Sequence, residues 1–187
     1  QGFWKVTPLQ LVLATAMLGN GGWLRRPPLA KDSRKGFMAP WEPIPQWPAK
    51  RISRNAGNLE AVREGMILTV HGPGTATNIR YGLDYQIAAK TGTAQVVSRR
   101  GTAAVDPRSL PMHLRHRALF GGFAPAEQPT IALAIAVEGG GYGGAAAAPI
   151  ARKIFDAWLL GKMPEDESGL GTRDSGLGKA GFRCCCR

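Results

Sequence analysis

Apolar residues recur with a helical or a strand period in separate stretches of this chain, and the stretches between them are rich in glycine, proline or charge. Thr7 followed by Pro8 is a helix-start signal: a capping hydroxyl precedes a residue whose missing N–H costs the first turn nothing. From Leu9 to Leu18 the residues are apolar on almost every face and run out at Gly19-Asn20-Gly21-Gly22. This predicts a buried helix with a glycine stop and neighbours all round. Between Trp23 and Pro48, six prolines and no sustained period predict an irregular connection with a short strand at either end, pinned down by Trp41 and Trp47. A second helix follows, capped by Asn58, with Leu59, Val62, Met66 and Val70 as its stripe and Glu60, Arg63 and Glu64 facing water. It ends at His71-Gly72-Pro73-Gly74.

Strand periods dominate the second half. Tyr85 to Ala89 and Val96-Val97 flank the polar run Lys90 to Gln95 as one strand, and Ala118 to Phe123 forms the next. After a turn over Pro125 to Thr130, bulky Ile131, Leu133, Ile135 and Val137 alternate with Ala132, Ala134 and Ala136. That strand is expected to be buried on both sides, with one face small enough for a helix to approach closely. Glu138 to Gly144 lacks both GxxxxGK(S/T) and GxGxxG spacing and reads as a flexible turn, not a phosphate cradle. Pro149 opens a last helix with Ile150, Ile154, Ala157 and Trp158 at helical spacing and Gly161 as its stop. Ser98 to Arg117 is a basic loop, and Pro164 to Arg187 is a disordered tail by composition. Residues 1–163 are therefore expected to form one folded portion. Its start, without methionine and directly ahead of a helix signal, reads as a cut inside a longer protein.

Composition narrows the classes. At 187 residues and 44% hydrophobic content the chain suits one globular domain. The net charge of +11 raises a polyanion as partner, but the basic residues are scattered and no RNA-binding or helix-turn-helix pattern accompanies them, which argues against nucleic acid. All three cysteines stand together at Cys184-Cys185-Cys186, with no distant cysteine to close a loop and no neighbouring histidine, so neither a disulfide framework nor a metal site is expected. No cofactor is implied. No apolar stretch approaches the ~20 residues that span a bilayer, and no signal peptide is present, so any anchor must lie outside this chain.

The run Lys90-Thr91-Gly92-Thr93-Ala94-Gln95 carries the chemistry. Period two puts the Thr91 and Thr93 hydroxyls on one face, and Gly92 leaves a gap in the other. A fixed positive charge, two hydroxyl donors and a mid-strand glycine suit an anionic, carbonyl-bearing substrate. Lys-Thr-Gly alone is short enough to arise by chance as a solvated patch beside a bulge.

The order strand, strand, strand, helix, with Lys-Thr-Gly on the first strand, resembles the C-terminal portion of the penicillin-binding transpeptidases. Gln1-Gly2-Phe3 with Thr7-Pro8 and Gln10 resembles the family's GQG(Y/F) then TPxQ segment, and Lys90 to Gln95 reads KTGTAQ as in many members. Phe120-Gly121-Gly122-Phe123-Ala124-Pro125 resembles the F-x-G-F-A-P stretch, and Glu138-Gly139-Gly140 the E-x-G turn. These occur in family order over residues 1–163, and within the family the chain is most similar to the class B penicillin-binding protein 2 of cell elongation.

The resemblance implies an α+β fold, a partial penicillin-binding transpeptidase fold in which an antiparallel sheet of three C-terminal strands packs with helices. It also implies roles. Lys90 would lend charge to the acid-base relay around a serine. The Thr91 and Thr93 hydroxyls would hold the carboxylate of a terminal D-alanine or a β-lactam, the Thr93 N–H would form half of an oxyanion hole, and Gly92 would keep the strand face open. Implied partners are peptidoglycan stem peptides ending in D-Ala-D-Ala, β-lactams and elongation-machinery membrane proteins, including a glycosyltransferase. The implied location is a membrane-anchored protein with its catalytic domain in the periplasm.

The family's S-x-x-K nucleophile is missing, since no serine here has a lysine three positions on. Ser53-Arg54-Asn55 spells the family's S-x-N but follows the GQG segment instead of preceding it, so it reads as a helix-entry turn. The chain alone is expected to be inactive, and, with a free edge on the Ile131 to Val137 strand and an unpartnered apolar helix, weakly stable. Two other readings stand beside this one: a β-lactam-sensing or β-lactam-hydrolysing relative of the same fold, and a basic nucleic-acid-binding module.

Overall fold

The computed structural model describes residues 5–53, 55–95 and 110–163. The Gln1 to Phe3 motif, most of the basic loop, and the tail with its cysteines lie outside the described residues.

Helix α1 (Pro8–Gly19) starts as its residues demand. The Thr7 hydroxyl accepts the Gln10 N–H at 3.2 Å, while the Gln10 side chain accepts the Thr7 N–H at 2.9 Å, so two of the helix's orphan donors are satisfied reciprocally. Gly21 and Gly22, at φ of 77° and 90°, turn the chain after it. The helix is not buried all round: Thr15 is its one buried residue and Leu9 is 56% exposed. Its apolar residues outnumber the neighbours the described residues offer, because only one of its faces meets the sheet.

The excursion after α1 holds two minimal antiparallel ladders, β1 (Trp23–Leu24) with β4 (Lys50–Arg51), and β2 (Asp32–Ser33) with β3 (Glu42–Pro43). The tryptophans do not pin it to a core. Trp41 and Trp47 are 64% and 68% exposed, and guanidinium groups cover a ring face instead, Arg34 at 4.7 Å from Trp41 and Arg26 at 5.2 Å from Trp47.

Helix α2 (Ala56–His71) is capped by Asn55, whose side-chain oxygen accepts the Asn58 N–H at 3.1 Å. Asn58 is thus a first-turn donor and not the cap, and Asn55, the last residue of the expected helix-entry turn, caps the helix. Met66 and Val70 are buried, but Val62 is exposed and breaks the expected stripe. Arg63 does not simply face water: it donates to the Glu60 carboxylate at 2.7 Å and the Ala126 carbonyl at 3.4 Å.

Strands β5 (Ala88–Ala94), β6 (Arg117–Ala124) and β7 (Ile131–Val137) form an antiparallel sheet in that order. Register fixes its two faces. Lys90 opposes Gly121, which opposes Ala134, and with Ala132 and Ala136 they make a low-relief face. Helix α1 lies on it so closely that a Cβ at Gly121 would come within 3.1 Å of the Thr15 hydroxyl, and one at Gly19 within 3.1 Å of the Phe123 ring. The opposite face carries Ala89, Thr91, Phe120, Leu133 and Ile135. There Phe120 and Phe155 are fully buried, each contributing about 1.5–3 kcal/mol by its burial. Strand β7 is only partly buried, Leu133 alone belonging to the buried core, and its outer edge has no strand partner among the described residues.

Helix α3 (Gly143–Leu160) covers that second face and begins six residues before Pro149, which sits inside it. Its buried face is Ala147, Ala148, Ala151 and Phe155; the stripe Ile150, Ile154 and Trp158 points outward. Small residues win the inner face because the helix start is pressed against strand backbone. Gly161, at φ 67°, ends the helix as expected.

Candidate active site

Among the described residues strand β5 is an outer strand of the sheet, so alternate backbone N–H and C=O groups along its unpaired side face away from β6. Lys90 lies on the low-relief face opposite a glycine, and its ammonium donates to the Thr91 carbonyl at 2.6 Å. Thr91 and Thr93 lie on the α3 face. Thr91 is 8% exposed, and its hydroxyl is hydrogen-bonded to the hydroxyl of Thr75. A Cβ at Gly92 would come within 3.2 Å of the Leu119 Cβ, so glycine here answers to close packing on the low-relief face.

One open cavity of about 700 Å³ brings Lys90, Thr91, Gly92 and Thr93 together. Its other walls come from Thr75 and from the start of α3, with Tyr142 and Gly143. Gly143 and Gly144 are dictated by this arrangement: an added Cβ would run into the Leu119 carbonyl at the first and the Thr75 carbonyl at the second. The start of α3 therefore lies beside the strand, and the partial positive charge of its first turn adds to that of Lys90. Asn78 donates its side-chain amide to the Gly144 carbonyl at 3.0 Å and holds the two segments together.

Behind the strand, a polar clamp fixes the segment that leads into it. Arg152 donates to Asp156 at 2.6 Å and to the carbonyls of Ile79, Tyr81 and Gly82 at 2.8, 3.0 and 3.0 Å, while the Tyr85 hydroxyl donates to Asp156 at 2.7 Å. Burial, and then the hydrogen bond to Asp156, push the Tyr85 phenol well above its ordinary range. At the end of α2, His71 Nε2 accepts the Ile87 N–H at 3.1 Å. Burial, joined by the Arg80 charge and opposed by Glu127, holds the imidazole below its ordinary pKa of 6.5.

A second, apolar cleft of about 460 Å³ opens on the low-relief face between α1 and α2, lined by Leu11, Leu18, Val62 and Met66, and Lys90 lines it as well. Lys90 thus stands between the two spaces. Neither described serine, Ser33 or Ser53, lines either one, and no group of three metal-ligating side chains occurs among the described residues. Thr75 and Tyr142 had no mark in the sequence beyond their place next to glycines. The Gly143-Gly144 pair was the available signal that backbone approaches backbone there.

Residues 1–156 match the family described as penicillin binding protein transpeptidase domain. The chain is 41% identical over 169 residues to the peptidoglycan D,D-transpeptidase MrdA of Acinetobacter baumannii, covering 86% of this chain and 23% of that protein. Its fold is similar to a crystal structure of Pseudomonas aeruginosa PBP2 in complex with WCK 5153, at a TM-score of 0.60 and 36% identity over 90% of this chain and 33% of that one. It is also similar to Helicobacter pylori PBP2 in its complex with MreC, at a TM-score of 0.62 and 26% identity over 86% of this chain and 26% of that one. The chain spans about a quarter of the length of the curated relatives it matches.

Proposed function

The chain belongs to the penicillin-binding protein transpeptidase family, and on that premise we propose that residues 1–163 are the C-terminal portion of the catalytic domain of a longer peptidoglycan D,D-transpeptidase. The observation that carries this reading is the convergence of Lys90, Thr91 and Thr93 on one cavity along a free strand edge. In it the Thr91 and Thr93 hydroxyls hold the carboxylate of the terminal D-alanine or of a β-lactam. Lys90 supplies positive charge where the nucleophile from the rest of the protein arrives.

The Thr93 N–H is half of the oxyanion hole. In an antiparallel strand a residue's N–H and C=O lie on the same side, and the side alternates. The Thr91 carbonyl is the one that the Lys90 ammonium reaches, and period two gives the Thr93 N–H the same side. The serine, its general base and the S-x-N loop come from outside this chain, as do strands to cover the free edge of β7. The serine oxygen adds to the penultimate D-alanine carbonyl, the peptide C–N bond breaks, and D-alanine leaves with the serine's proton. A second stem peptide's amine then adds to the acyl carbon, the serine ester C–O bond breaks, and the amine's proton returns to the serine oxygen.

The proposed location is periplasmic, with an anchor supplied by the longer protein; no helix of the described residues is long and apolar enough to cross a membrane. The proposed partners are the elongation machinery's membrane proteins, for which the Helicobacter pylori PBP2 complex with MreC is a precedent, and a glycosyltransferase, which rests on the resemblance to penicillin-binding protein 2 alone.

Labelling with a fluorescent penicillin tests the reading. The longer protein should take one covalent label that survives denaturation, its Lys90→Ala variant should label far more slowly, and the 187-residue chain should take none. A longer protein that stays unlabelled, or a labelled 187-residue chain, overturns the assignment of this strand as one wall of a shared site.

A further inference from the structure

We infer that Thr75 is a positioning residue for carboxylate recognition: its hydroxyl donates to the Thr91 hydroxyl and so turns the Thr91 proton toward the ligand. The inference rests on the reading of the cavity as a transpeptidase site and adds to it a residue that touches the ligand only through another. Three observations meet here. The hydroxyls of Thr75 and Thr91 are hydrogen-bonded to each other, Thr91 is almost fully buried, and both residues line the cavity.

A threonine hydroxyl has one proton to give, and a carboxylate only accepts. If Thr91 gave its proton to Thr75, it would present lone pairs to an anion and repel it. With the opposite direction, Thr75 donates to Thr91 and Thr91 donates to the carboxylate, a two-bond relay in which each bond polarises the next. The Thr75 backbone is held for this task. The neighbouring Ala76 N–H donates to the Thr69 carbonyl near the end of α2 at 3.0 Å, and the Thr75 carbonyl faces Gly144, where no Cβ could fit. Thr75 is therefore clamped between two helices, with its side chain reaching a strand 16 residues further on.

The test uses the full-length protein that contains this chain, in native form and as Thr75→Val and Thr75→Ser variants, acylated by a penicillin and by its uncharged methyl ester. Valine keeps the shape and removes the donor. Loss of one orienting hydrogen bond should slow acylation by the carboxylate form about tenfold and leave the ester's rate unchanged, so that the ratio between the two ligands falls. Serine should restore the ratio to within about twofold, since it returns the same donor. Equal slowing of both ligands would make Thr75 a packing residue and overturn the inference, as would an unchanged ratio in the valine variant or a serine variant that behaves like valine. A native full-length protein that neither ligand acylates would overturn the transpeptidase reading itself, and the inference with it.

Discussion

Replacing Arg152 by alanine asks whether the clamp behind β5 is what holds the segment leading into the site. The guanidinium makes four hydrogen bonds, to the Asp156 carboxylate and to the carbonyls of Ile79, Tyr81 and Gly82. Those to Tyr81 and Gly82 are exposed, so water takes over from the lost donor and they contribute little. The bonds to Asp156 and Ile79 are part-buried, and the Arg152 and Asp156 side chains are only 19% and 18% exposed. A hydrogen bond to a charged group contributes about 1.5–3 kcal/mol, and stranding a buried partner charge costs about 3–5 kcal/mol. Partial exposure and the surviving Tyr85 donor to Asp156 reduce the total. About 2–4 kcal/mol remains.

The effect should be local. In the full-length protein, hydrogen exchange of amides in 79–89 should accelerate by roughly 30-fold or more, while those of β7 keep their rates. Arg152→Lys should fall between, since an ammonium replaces the guanidinium's planar fork by a single point of donation. Unchanged exchange over 79–89 in Arg152→Ala would refute the clamp.

His71 gives the fold a dependence on pH. Its Nε2 must be unprotonated to accept the Ile87 N–H, and its pKa is lowered from 6.5 in the folded state. The stabilisation is thus fully present above pH 6.5, the unfolded value, and is lost as pH falls from there through the lower folded value. Melting temperature followed downward from neutral pH should fall over that window, and His71→Gln should remove that part of the slope; identical slopes would count against the contact. Among the glycines, Gly144→Ala should lower the melting temperature by an overpacking cost of about 1–3 kcal/mol or more and slow penicillin labelling, because its Cβ meets the Thr75 carbonyl. Gly65→Ala, in mid-helix with open space at the Cβ position, should stabilise by about 0.5–1 kcal/mol. Equal melting temperatures for the two variants would contradict the packing described for the start of α3.

Local backbone chemistry explains which parts of this fold are legible in the residues. Thr7, Pro8 and Gln10 fix the start of α1, and Gly21 and Gly22 its exit, through bonds and dihedrals set within a turn. The alternation of Ala132, Ala134 and Ala136 with bulky neighbours foretells the face on which α1 lies. The start of α3 is not legible, because a glycine pair ordinarily ends a helix, and here it begins one only since the Leu119 and Thr75 carbonyls exclude a side chain. The choice of Ala147, Ala151 and Phe155 over Ile150, Ile154 and Trp158 for its inner face has the same tertiary cause. In the site, period two brings Lys90, Thr91 and Thr93 into view, since they share one strand. Thr75 and Tyr142 escape notice because they meet that strand from 16 and about 50 residues away, and nothing local marks the encounter.

A crystal structure of the full-length protein acylated by a penicillin measures the central claim most directly. The account predicts the adduct's carboxylate within about 3.2 Å of the Thr91 or Thr93 hydroxyl, its acyl oxygen on the Thr93 N–H, and the acylated serine beside Lys90. An adduct whose carboxylate and acyl oxygen both lie away from β5 would contradict it.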